Sequence, residues 1–196
     1  MAVRLAGPDH RTRLVGGLAA SITERGYAAT TIADVVRHAR VSKRTFYQHF
    51  PDKEACFLAL YSQTSDELLA LIAGAASGEQ PWEERVAAAA RAYFERLAGE
   101  PALVRAGLVD IQAAGPRARR LRREVQRRYA ELLRGLSATA AAERPGIRPL
   151  PPALATAVVG GLNELMLEAV EEGQEERLGE LAGAATELLA AVLLRR

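Results

Sequence analysis

Apolar positions along this chain recur three and four residues apart almost throughout, and no alternating apolar–polar run stands out. The pattern therefore predicts helices and no sheet. Turn residues and prolines divide it into about nine helical stretches. The first covers residues 10–25, with Leu14, Leu18 and Ile22 on one face and Gly26 where a C-terminal cap belongs. The second covers 31–39. Its Thr31 and Asp34 have the spacing of a capping box, and Ile32, Val35, Val36 and Ala39 form its inward stripe. After Arg40 and Val41, Ser42 caps a short third helix that ends near Phe50; Pro51 stops it, and Asp52 caps a fourth running to about residue 76. Beyond the loop 77–81, helices are expected at 82–98, 101–115 and 116–142. The proline-rich segment 145–152 is the most evident loop, and two helices follow it, reaching residues 172 and 194.

Composition agrees with an all-α reading. Alanine, leucine, arginine and glutamate dominate, aromatic residues are only 5%, and such straight-chain residues lose little freedom in a helix. The charge becomes informative when it is divided. Residues 1–60 carry nine Lys/Arg against five Asp/Glu, a balance of +4, whereas the other 136 carry 17 against 19, a balance of −2. Both lysines and all three histidines also fall in the first 60 residues. Cations gathered in one small segment are the footprint of a polyanionic partner. Cys56 is the sole cysteine, which excludes an intrachain disulfide and a cysteine-rich zinc site; its apolar neighbours predict a buried, inert thiol. The first 13 residues lack the apolar core of an export signal, and no apolar run is expected to reach membrane-span length, so a cytoplasmic location is expected.

The functional signal lies in residues 30–53, TTIADVVRHARVSKRTFYQHFPDK. Two short helices joined by a tight turn make a helix-turn-helix unit. Val35, Val36 and Ala39 would hold its first helix to the body, and Phe46 and Phe50, four apart, its second. That leaves Lys43, Arg44, Tyr47 and Gln48 outside, where Arg, Lys and Gln suit base edges and hydroxyls suit phosphates.

Thr31, Ile32-Ala33, Val41-Ser42, Lys43, Thr45-Phe46-Tyr47, His49-Phe50 and Lys53 together resemble the helix-turn-helix of the tetracycline-repressor (TetR) family. The resemblance implies a DNA-binding domain over residues 1–55 and a helical ligand-binding and dimerisation domain over 56–196. It implies phosphate contacts from Thr31 and Lys53, major-groove contacts from Lys43, Arg44 and Thr45, and backbone contacts from Tyr47 and His49. Ser42 caps the recognition helix, and Gln48 is open to a base or to solvent. Arg40 departs from the family, many members of which carry glycine in the turn. If the position needs positive φ, arginine costs roughly 1 kcal/mol there, and its side chain could add a phosphate contact.

A palindromic operator on double-stranded DNA requires two recognition helices about 34 Å apart, hence a homodimer. The last two helices suit the interface, as the family resemblance also implies: Ala157, Gly160 and Gly161 permit close backbone approach, and Leu178, Leu181, Ala185, Leu188 and Val192 form a stripe at helical spacing. Tyr93, Leu108, Gln112, Tyr129, Asn163 and Met166 are candidates to line a small-molecule effector site, although residues of these types at helical spacing also make ordinary core. The seven arginines of 117–128 spread around their helix and read as a solvated surface. The resemblance implies a repressor released by an apolar or amphipathic ligand. An activator or a ligand-independent architectural protein needs the same helix-turn-helix and stays open. An enzyme is the weakest reading, because no phosphate-binding glycine loop, HExxH pair or GxSxG elbow occurs, and no cofactor or metal is called for.

Overall fold

The computed structural model describes residues 9–194, which are helical with short connections and one isolated antiparallel bridge between Ile147 and Leu194. Residues 1–8, part of the stretch that gave no export signal, lie outside the described residues. The chain divides into two compact units, Met1–Thr64 and Ser65–Arg196, and the division falls inside a single helix. The first unit therefore runs past the expected limit at residue 55. The reason is packing: Cys56, Phe57 and Leu60 on the first turns of that helix are buried, and the Phe57 ring stacks on Tyr27 with centroids 4.2 Å apart.

In the first unit, α1 (His10–Ala29) is capped by the Asp9 carboxylate, which accepts from the Thr12 N–H at 2.7 Å. It extends past the expected end, but with a break at Gly26 (φ 76°), the position expected to cap it. α2 (Ile32–Ala39) and α3 (Lys43–His49) follow, and α4 (Lys53–Ala75) is capped by Asp52, whose carboxylate accepts from Ala55 N–H at 2.6 Å. Leu14, Leu18 and Ile22 on α1 are fully buried, Val35 and Ala39 on α2 and Phe46 on α3 are buried too, and α1 packs on both of those helices. Gly17, unmarked in the sequence, lies where α1 and α2 almost touch. A Cβ there would stand 2.6 Å from the Val35 carbonyl oxygen and 2.9 Å from the Ala39 nitrogen.

The second unit holds α5 (Trp82–Ala98), α6 (Pro101–Arg105), α7 (Ile111–Ala113), α8 (Pro116–Glu143), α9 (Pro152–Glu171) and α10 (Leu181–Leu193). Between α6 and α7 the chain winds as a π-helix over Ala106–Asp110, so the stretch expected as one regular helix is continuous but widened in its middle. Glu175–Glu180, the start of the expected last helix, is a 3-10 segment. One apolar cluster gathers Trp82, Ala130, Ala140, Ile147, Leu150, Ala155, Val159 and Leu193. A second gathers Ala90, Phe94, Val104, Met166, Val170, Leu178, Ala182 and Ala185.

These clusters correct three expectations. Leu178 and Ala185 are core residues of their own chain, with Leu181 packed on the same cluster and Val192 on the other, so most of the stripe read as an interface is an intrachain seam. Periodicity shows that a helical face is covered and cannot say by which chain. Gln112 is exposed, and its amide donates to the Leu108 carbonyl at 2.7 Å, one turn back on its own backbone. Finally, one helix, Pro152–Glu171, is apolar and long enough to cross a membrane by length and composition, with a mean hydropathy of 1.4. A single such helix is weak evidence of a span, and its large exposed share has another use below.

Candidate DNA-binding surface

The turn between α2 and α3 is fixed from three directions. At its start, Thr31 and Asp34 form the expected capping box: Thr31 N–H donates to the Asp34 carboxylate at 3.0 Å, and Asp34 N–H donates to the Thr31 hydroxyl at 3.3 Å. The Thr31 hydroxyl, which donates to the same carboxylate at 2.7 Å, and the Thr31 N–H hold the Asp34 carboxyl below its ordinary pKa, with the charges of Arg25 and Arg37 adding to the effect. In the turn itself Arg40 takes the left-handed conformation (φ 52°, ψ 48°), the only non-glycine among the described residues with positive φ. From α1, the Arg13 guanidinium donates to the Ala39 and Arg40 carbonyls at 2.6 and 2.8 Å, satisfying the end of α2. No local pattern points to this clamp, since its partners lie 26 and 27 residues away.

Ser42 caps α3 by accepting from Thr45 N–H at 3.0 Å, and its hydroxyl also bonds to that of Thr45 at 2.9 Å. Seven residues of helix are about 10 Å long, a length that enters a major groove about 12 Å wide. Phe46 and Phe50 turn inward and are buried, each burial worth about 2 kcal/mol. On the opposite side Lys43, Arg44, Tyr47, Gln48 and His49 are exposed, Tyr47 to 58%. Lys43, Arg44 and Gln48 make no hydrogen bond or ion pair with the described residues. Residues 40–50 contain three cations and no acid. The nearby acids Glu24 and Asp34 are instead paired with Arg25 and Arg37, at 3.3–3.7 Å. The positive field therefore concentrates at α3.

Lys53 stands differently from the expectation. Its ammonium donates to the Tyr27 and Thr30 carbonyls at 2.9 and 2.8 Å and lies 4.3 Å from the Tyr27 ring centroid. Two of its three N–H groups thus tie α4 to the end of α1, so its first role is structural rather than a free phosphate contact. Two further residues come beside α3 from the start of α1. The His10 ring is 6.2 Å from that of His49, edge to face, and Arg11 lies 5.4 Å from the Phe50 ring centroid. The signal was available in the basic run His10-Arg11-Thr12-Arg13.

Residues 17–60, which span this unit from mid-α1 into α4, match the family model for bacterial regulatory proteins of the tetR family. A tetR-family transcriptional regulator from Pectobacterium atrosepticum superposes with a TM-score of 0.75 at 26% identity, covering 95% of this chain and 94% of that one. Residues 17–60 thus carry a tetR-family DNA-binding domain, and the chain has the fold of tetR-family transcriptional regulators. FadR from Bacillus subtilis, in complex with stearoyl-CoA, shares the fold with a TM-score of 0.77 at 20% identity, over 93% of this chain and 98% of that one. The transcriptional activator FasR of Mycolicibacterium smegmatis is 29% identical over 92 residues, which are 47% of this chain; the match spans 42% of that protein's length.

In the second unit the residues expected to line a ligand site are partly brought together. The Tyr93 hydroxyl points to the Met166 sulfur at 3.9 Å, the Tyr93 and Tyr129 rings meet edge to face at 6.1 Å, and Leu108 packs on the same cluster from the π-helical segment. Asn163 is half-buried and spends its amide on the Val159 carbonyl at 2.9 Å. Gln112 does not join them. Among the described residues no group of three or more His, Cys, Asp or Glu side chains is placed to hold a metal.

Proposed function

We propose that the chain acts as a homodimer on a palindromic operator in double-stranded DNA, and that an amphipathic effector carrying a long acyl chain, bound in the second unit, lowers its operator affinity. The observation that carries the DNA reading is the division of α3, with Phe46 anchored behind and Lys43, Arg44, Tyr47 and Gln48 exposed in front. Lys43, Arg44 and Gln48 meet base edges. Thr45 enters the major groove beside them, and Thr31, Arg40, Ser42, Tyr47 and His49 position the helix on phosphates. DNA as partner places the protein in the cytoplasm.

Dimerisation is supported by an uncovered face of α9. Leu154 and Leu165 are exposed to 44% and 38%, and Ala157, Gly160 and Gly161 lie between them on the same side. A Cβ on either glycine would meet nothing within 4 Å, so their small size serves no packing within the chain. On α10 Gly183, Ala184, Glu187 and Ala191 are exposed, and this face replaces the buried stripe as the interface of the last helix. The acyl-chain effector is supported by the likeness to FadR bound to stearoyl-CoA. A hundredfold loss of operator affinity requires only about 2.7 kcal/mol of coupling. Repression is the reading adopted; activation is the second, favoured by the relationship to the activator FasR.

Selection of bound DNA from a random library tests the core of this reading. An inverted repeat with half-sites one helical turn apart, or a multiple of it, is expected. Recovery of no common sequence, or binding indifferent to salt, refutes it.

A further inference from the structure

Trp82 opens α5 and is only 5% exposed, and its indole Nε1–H is shut from solvent with no hydrogen-bond partner among the described residues. Such an orphan is uncommon in a folded protein and calls for a physical explanation. No group packed around it accepts from it. Val86, Leu133 and Leu189 bring only hydrocarbon to the cluster, and the hydroxyl of Tyr129, which also packs on it, does not accept from the indole. Phenylalanine would fill the same place without leaving a buried donor unmet.

We propose that the Trp82 Nε1–H is the donor reserved for the effector, and that it takes the carbonyl oxygen of a long acyl chain whose hydrocarbon body lies among the apolar side chains around it. This rests on the acyl-effector reading above and assigns that ligand's polar end. The donor is closed off in the structure, so the bond forms only when the surrounding helices part. The effector therefore binds the parted arrangement more tightly, which is the differential affinity a ligand needs to shift a conformational equilibrium.

Trp82 is the chain's single tryptophan, so the full-length protein gives one indole N–H resonance. Palmitoyl-CoA and palmitate are each titrated into 15N-labelled protein, and binding is measured in parallel by calorimetry on wild type and on Trp82→Phe. The expected result is a downfield move of the indole signal at saturation and roughly fivefold weaker binding by Trp82→Phe. A move with both compounds assigns the shared carbonyl, and a move with palmitoyl-CoA alone assigns the thioester. Calorimetric binding to wild type with an unmoved indole signal overturns the inference and leaves the acyl-effector reading standing, whether or not the variant folds. If neither compound binds wild type, the acyl-effector reading fails and the assignment of Trp82 falls with it.

Discussion

Gly16 and Gly17 are neighbours in the middle of α1, and the same substitution should act on them in opposite directions. Gly16 is exposed, and a Cβ there would meet nothing within 4 Å. Alanine removes backbone freedom from the unfolded chain and should stabilise by about 0.5–1 kcal/mol. The same gain is available at Gly17. There, however, the new methyl would lie 2.6 Å from Val35 O, 2.9 Å from Ala39 N and 3.0 Å from Ala39 Cβ. Carbon needs about 3.5 Å, so α1 and α2 must move apart by roughly 1 Å. The obstructing atoms are backbone and a Cβ, and no side chain can swing away. Overpacking of this kind costs about 1–3 kcal/mol, enough to cancel the propensity gain and leave Gly17→Ala below Gly16→Ala by about 2 kcal/mol. Thermal unfolding followed by circular dichroism should separate the two variants by roughly 6 °C. Operator affinity should fall for Gly17→Ala alone, because α2 and the turn that carries α3 are displaced. Equal unfolding temperatures for the two variants would refute the close approach of the helices.

Arg40→Gly should raise stability by about 1 kcal/mol, read as a higher unfolding midpoint, since it removes a side chain from the left-handed region; a lower midpoint would show that the arginine makes a compensating contact. Lys43→Ala or Arg44→Ala should relax the base preference of selected DNA and cost about 1–3 kcal/mol of specific binding with no change in unfolding temperature, and unaltered selectivity in both would remove them from the major groove. Lys53→Met should instead lower stability by about 1.5–3 kcal/mol through loss of its two carbonyl bonds, and a variant as stable as wild type but with a shallower salt slope would return Lys53 to the phosphates. Burial pushes the Cys56 thiol up to about 12, so iodoacetamide at pH 8 should leave the native protein unlabelled and modify it only in denaturant; rapid native labelling would contradict the burial.

The helix-turn-helix was legible because its determinants are local. Thr31 with Asp34, Ser42 with Thr45, and Phe46 with Phe50 are pairs three or four residues apart, and spacing alone places them on one turn of helix. The clamps around it were not legible for the complementary reason. Arg13 and Lys53 reach carbonyls 23–27 residues away, and a carbonyl belongs to every residue, so no side-chain type announces the partner. Gly17 reads in sequence as a cost to the helix, and only the neighbouring backbone reveals its purpose. In the second unit, Leu178 and Ala185 show the same limit at larger scale: an apolar stripe records that a surface is dry, whereas the identity of the surface across from it is a tertiary fact. Gln112 failed for a simpler reason, that a polar side chain satisfied by its own helix has no need to face inward.

The Arg13 guanidinium separates two properties usually thought to evolve together. Because the pitch of the reading helix is set partly by a cation on α1, changes at a position remote from any nucleobase can retune which half-site is preferred. Drift in target choice among descendants of this protein can therefore begin at Arg13, with every groove-facing side chain of α3 left as it is.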